Sequence, residues 1–186
     1  IKKETANCVR KKDVQIFSSS PRRIYNLERI LTKLVPFEYR RIIFCDLRGN
    51  IETRMKKFMQ SEVDGIVIAK VAIDRILDSD DRAAKQFIQS VINNNKWLIL
   101  PLSVFPTAPG QGAIAIEARK DRIDLKQLLE TINDRDSYRR VSHEKSILSN
   151  YGGGCQQKIG VSIWSERGQD IFSMAGLTNE GKEIKI

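Results

Sequence analysis

Only three of the 186 residues are cysteine (Cys8, Cys45, Cys155) and only one is histidine, His143. Three scattered thiols are too few for a disulfide framework or a zinc site, so no metal is expected and a reducing, cytoplasmic setting is the default. A lone histidine in a charged stretch leaves no Ser-His-Asp or Cys-His arrangement to assemble, and it is read as structural. No apolar run approaches the roughly 18 residues of a membrane span, which argues against a membrane partner. The opening IKKETANCVRKKD lacks the apolar core of a secretory signal. A first residue of Ile and a last piece, KEIKI, that alternates like a strand suggest a fragment of something longer. Phosphate-loop and dinucleotide patterns are missing, GQG at 110–112 being too short to count. Helix-turn-helix, zinc-finger, RRM and KH signatures are missing too, and basic residues are not interleaved with aromatics. Nucleic acid is therefore not the expected partner.

What is present is positive charge, and it is unevenly spread. The formal net charge is +9, and residues 1–60 hold 15 Lys/Arg against 6 Asp/Glu. The remaining residues hold 17 of each. The excess thus belongs to one stretch and points to an acidic partner there.

That stretch alternates strand and helix. VQIFS, RIIFC (41–45) and GIVIA (65–69) are short runs rich in β-branched and aromatic residues. Between them, Ile24, Leu27, Ile30, Leu31 and Leu34 recur at helical spacing, as do Ile51, Met55, Phe58 and Met59. This βαβαβ order predicts an α/β fold with a mostly parallel sheet, whose ligands bind outside the strands' carboxyl ends. Helices are predicted at 70–77, 81–93, about 122–133 and 135–150, and strands at WLILPL (97–102) and AIAIEA (113–118). After YGGGC, KIGVSIW and DIFSMAG read as strands without intervening helices, a small α+β unit.

SSSPRR (18–23) is the most pointed motif. Ser20 reads as a helix N-cap and Pro21 as the first helical residue. Arg22 and Arg23 then fill the first turn, where each cation costs about 0.3–1 kcal/mol against the helix dipole. Arg48 and Arg54 flank the turn after the second strand, and four guanidiniums are expected to converge on one edge. Such forks bind carboxylate or phosphate bidentately, with Ser18, Ser19 and Ser20 as hydroxyl donors beside them. The competing reading is a set of surface arginines paired to local acids. Asp46 is placed to orient one of the arginines. Cys155, after three glycines, reads as a nucleophile, an attachment point or an ordinary loop thiol.

Taken in order, these pieces resemble the porphobilinogen deaminase family. SSSPRR is similar to its T-S-S-x-R-R, LRGNIETRMKK to R-G-N-x-x-T-R-L, and DGIVIAKVAIDRI to D-A-I-I-L-A-x-A-G-L-x-R-L. PGQGAIAIEAR is similar to G-Q-G-A-x-x-I-E-x-R, and YGGGCQQKIG to G-G-C-x-x-P-I-G. Ala72 stands where the family usually has Gly, and Lys158 where it has Pro.

The resemblance implies a doubly wound, periplasmic-binding-protein-like α/β domain over 1–105. It implies a crossing strand and helix over 106–133 and a small, truncated α+β cofactor-attachment domain over 134–186. It also implies the stepwise head-to-tail joining of four porphobilinogen units, with loss of ammonia, to 1-hydroxymethylbilane. A dipyrromethane cofactor held by thioether to Cys155 primes that reaction. Ser18, Ser19, Ser20, Arg22 and Arg23 are implied as cofactor contacts, and Arg48, Arg54 and Ala72 as substrate contacts. The family's catalytic carboxylate has no match here, so this chain alone is expected to be inactive. A cytoplasmic monomer is expected at full length. A non-catalytic module that binds small polyanions is the alternative.

Overall fold

The computed structural model describes residues 1–7, 12–152, 154 and 156–186. The chain divides into two compact units, Ile1–Phe105 and Pro106–Ile186.

The first unit runs α1 (Lys3–Ala6), β1 (Lys12–Phe17), α2 (Pro21–Leu34), β2 (Tyr39–Cys45), α3 (Ile51–Gln60), β3 (Gly65–Ile66), α4 (Lys70–Asp78) and α5 (Arg82–Asn94). Its three strands form a parallel sheet in the order β2-β1-β3. β1 is central, with Val14 opposite Ile42 and Phe17 opposite both Cys45 and Ile66. Side chains alternate along a strand, and Val14 and Ile16 are the buried pair. Leu27 and Leu31, one turn apart on α2, pack on that pair together with Phe105. A second cluster unites Met55 of α3 with Ile88 and Val91 of α5, joined by Ile66, Ile68 and Ile73. Each fully buried Leu, Ile or Met contributes about 1.5–3 kcal/mol.

Asp64 pins the start of the unit to β3. Its carboxylate accepts from the Thr5 hydroxyl (2.5 Å), the Lys12 ammonium (2.7 Å) and the Gln15 amide (2.8 Å). Burial alone pushes this carboxyl up, but the bonds from Lys12, Thr5 and Gln15 outweigh it and leave it below the usual carboxylate range.

Two expected strands do not form. Residues 97–102 and 113–118 have no strand structure. A strand exists only through the ladder that satisfies its amides. Among the described residues neither stretch pairs with a strand, and most of the apolar side chains that suggested them lie in solvent, although Leu100 packs against the first core cluster. Trp97, Leu98, Ile99, Ile114 and Ile116 are all exposed.

The second unit contains α6 (Ile123–Glu130), α7 (Arg135–Ser149), β4 (Gly160–Glu166), β5 (Gln169–Leu177) and β6 (Glu183–Lys185). Its strands form an antiparallel sheet in the order β4-β5-β6. The core joins Ile159, Val161, Met174 and Ile184 to Ile147 and Leu148 of α7. Asp134 caps α7 by accepting from the Ser137 amide at 2.7 Å.

The buried Glu144 ties this unit together. Its two oxygens accept from the Gly110 amide (2.7 Å) and the Ile163 amide (2.6 Å). Glu144→Gln turns one acceptor into a donor facing an N–H. It is expected to cost the unit about 1–3 kcal/mol, read as a lower urea midpoint. An unchanged midpoint would show that neither bond matters.

Candidate functional site

Parallel strands end on one side, so the turns after β1, β2 and β3 meet there. Backbone bonds knit them together. The Ser18 amide donates to the Cys45 carbonyl (3.0 Å), and the Val67 amide donates to the Phe17 carbonyl (3.2 Å). The three serines of SSSPRR then do three different things. Ser19 donates its hydroxyl hydrogen to the Leu47 carbonyl (3.1 Å) and accepts from the Leu47 amide (2.8 Å). Ser20 caps α2, its oxygen accepting from the Arg23 amide at 3.4 Å. Ser18 is buried, and its hydroxyl oxygen has no partner among the described residues.

The arginines stand beside them. Arg22 is only 5% exposed and lies over the Phe105 ring, 5.8 Å from its centroid. Burial first, and the Arg23 charge second, push the Arg22 guanidinium down to about 10. Arg23 donates from Nη1 to the Val67 carbonyl (3.2 Å). Burial and then the charge of Arg54 lower its pKa in turn. Arg54 donates from Nε to the Gly49 carbonyl at 2.6 Å. Three cations therefore act on one another in sequence, Arg22 to Arg23 to Arg54. Like charges in a desolvated place disfavour their own charged forms, and an anion reverses the sign of that interaction.

Arg48 is not brought into this group. It is exposed and is not among the charges that act on Arg22 and Arg23, and its carbonyl accepts from Lys57 at 3.2 Å. Ala72 sits half-buried in the first turn of α4, its amide donating to the Ala69 carbonyl at 3.1 Å. Asp46 does not orient an arginine: it is exposed and without a partner among the described residues. The backbone carbonyls of Val67 and Gly49 take that role instead. Cys155 lies outside the described residues. Cys45 is partly exposed, its sulfur 3.8 Å from the Gln15 side-chain oxygen. His143 is exposed on α7.

Sequence reasoning missed Phe105 and the two carbonyls. Phe105 comes from far along the chain and carries no local signal. Gly49 had one, because its φ of +124° is a conformation that side chains oppose.

The second unit holds an open cavity lined by Gly110, Arg140, Glu144 and Trp164. Its charged groups are already engaged. Glu144 is bound by backbone amides, and Arg140 donates to Asp170 at 2.8 Å. The chemistry favours the arginine cluster of the first unit.

The family model described as porphobilinogen deaminase, dipyromethane cofactor binding domain, matches residues 2–127. The chain belongs to the porphobilinogen deaminase family. The matched stretch contains the three serines, the four arginines and Ala72, and it ends before Cys155. Porphobilinogen deaminase from Desulfitobacterium hafniense is 32% identical over 141 residues, covering 76% of this chain and 41% of that protein. A probable porphobilinogen deaminase from Picrophilus torridus is 35% identical over 152 residues, 82% of this chain and 45% of the relative. One from Sulfurisphaera tokodaii is 33% identical over 172 residues, 92% and 53%. The chain thus spans about half, or less, of the length of these relatives. Among the described residues no helix is long and apolar enough to cross a membrane.

Proposed function

We propose that the chain carries the polyanion-binding part of a porphobilinogen deaminase, the enzyme that joins four porphobilinogen units head to tail, releasing ammonia, to give 1-hydroxymethylbilane. One observation carries this reading: a buried Arg22, with Arg23 and Arg54 held on backbone carbonyls and repelling one another in turn, follows a buried serine hydroxyl that has no partner among the described residues. Pyrroles bearing acetate and propionate supply carboxylates to both.

A covalent dipyrromethane fits these residues. An unpartnered buried hydroxyl such as that of Ser18 costs about 1–3 kcal/mol, which an accepting carboxylate offsets. Arg22 and Arg23 would hold the group's carboxylates, and Ser20, whose oxygen among the described residues only accepts from the Arg23 amide, keeps its hydrogen for donation. Ser19 serves by fixing the turn through Leu47. Cys155 is the proposed point of thioether attachment. When bound, the group supplies the free pyrrole end to which substrate units are added. Arg54, with Arg48 and the Ala72 turn, is assigned to the growing chain of substrate. In this reading residues 1–105 form a periplasmic-binding-protein-like domain. Residues 106–133 are a crossing segment, and 134–186 form the cofactor-attachment domain. No residue here takes the family's catalytic carboxylate position, so the chain alone makes no bilane; bilane formation by the isolated chain would overturn that.

The test is the intact mass of the protein, made from its full reading frame in cells that supply porphobilinogen, beside its Cys155→Ala variant. The expected result is an added mass of two condensed pyrrole units, absent in the variant. A bare sequence mass for the unaltered protein would refute the cofactor assignment and favour a non-catalytic polyanion-binding module.

A further inference from the structure

Resting on the polyanion reading above, we propose that Lys57 is a positioning residue for Arg54. The turn Arg48-Gly49-Asn50 is gripped by α3 at three successive carbonyls. The Lys57 ammonium donates to the Arg48 carbonyl (3.2 Å), and Arg54 Nε donates to the Gly49 carbonyl (2.6 Å). The Arg54 amide donates to the Asn50 carbonyl (3.0 Å), while the Asn50 side chain accepts from the Thr53 amide (2.8 Å). Gly49 makes this possible. At φ +124°, a Cβ there would meet the Thr53 methyl at 2.9 Å.

The division of labour follows from which nitrogens are used. With Nε spent on Gly49, Arg54 keeps its end-on pair, Nη1 and Nη2, which no group claims among the described residues. That pair is a planar fork matched to a carboxylate, and its aim depends on where the Gly49 carbonyl stands. Lys57 holds the carbonyl immediately before it. Lys57 has no acidic partner among the described residues, whereas its neighbour Lys56 pairs with Glu52 at 2.6 Å. The two lysines therefore carry the same charge, at adjacent positions of α3, in different employment.

That contrast supplies the experiment. Benzenehexacarboxylate binding to the full chain is measured by calorimetry, with the unfolding midpoint of each variant recorded without the probe. Lys57→Met is expected to weaken binding about ten-fold, the worth of one charge-assisted hydrogen bond. Lys56→Met removes the same charge yet is expected to cost less than about two-fold. Lys57→Arg, which restores a donor, recovers most of the affinity. In an Arg54→Met background, Lys57→Met has no further effect, because nothing remains to be aimed. Equal losses for Lys57→Met and Lys56→Met would reduce Lys57 to a general charge and overturn the inference. So would a Lys57→Met penalty that persists in full without Arg54. If the unaltered chain fails to bind the probe, the polyanion reading itself fails and takes this inference with it.

Discussion

Arg22→Met is expected to move stability and binding in opposite directions. It should stabilise the ligand-free first unit by about 1–2 kcal/mol and weaken polycarboxylate binding about a hundred-fold. The stability gain comes from burial. Lowering the Arg22 guanidinium from its ordinary value to about 10 corresponds to roughly 3 kcal/mol of preference against the charged form. Methionine fills similar space without charge, and loss of the Phe105 stack and of Arg22's other contacts returns part of that gain. The binding loss comes from the same burial, because a fork held out of water bonds an anion more strongly than an exposed one. Denaturant unfolding without ligand and calorimetry with benzenehexacarboxylate measure the two effects separately. A variant that is less stable yet binds normally would show that Arg22 is a structural residue. The chain would then have no buried half to its site.

Gly176→Ala is expected to abolish folding of the second unit, a loss above about 4 kcal/mol. Gly176 lies in β5 at φ +152°, and a Cβ there would fall on the Lys158 carbonyl and the Ile159 Cα, both backbone. No flexible side chain can move aside. Gly168 is the control. It occupies the β4–β5 turn at φ +79° with nothing within 4 Å of its would-be Cβ. Gly168→Ala therefore pays only the left-handed strain of about 1–2 kcal/mol. Trp164 lies in this unit and reports its unfolding by fluorescence. Equal stability of the two variants would mean that β5 can shift past residues 158–159, and the packing described above would be wrong there.

How far the sequence foretold the structure depended on whether a feature was local. Val14, Ile16, Leu27 and Leu31 announced their elements through spacing, because each buries a face against a partner within the same unit. Ser20 and Pro21 announced the start of α2, because capping is settled within one turn. The runs at 97–102 and 113–118 carried an equally clear strand pattern and formed none. Alternation records which side chains want burial, but a ladder needs a neighbour, and none lies alongside among the described residues. The arginines were legible as residue types out of place in a first turn. Which of them cluster was not, because the coupling of Arg23 to Arg54 is set by where β1 and β2 end. Asp46 misled for the same reason: nearness in sequence to Arg48 says nothing of where either side chain points. The roles of Phe105 and Val67 rest on tertiary placement or on a backbone carbonyl, which no side-chain pattern records; at Gly49 the glycine itself was the signal.

The pair of hydrogen bonds between Ser19 and Leu47 bears on how the sheet opens. Leu47 lies beyond the end of β2, where an amide would ordinarily exchange its hydrogen freely with solvent. Here that amide is held by the Ser19 hydroxyl, which is itself fixed by donating to the Leu47 carbonyl. The second bond holds the Ser19 oxygen in place against the amide, so the amide's exchange should follow the opening of the β1–β2 pair rather than local fraying. A single hydroxyl thereby extends the cooperative unit of the sheet two residues past its last paired strand position, Cys45, into the turn that leads to the arginines.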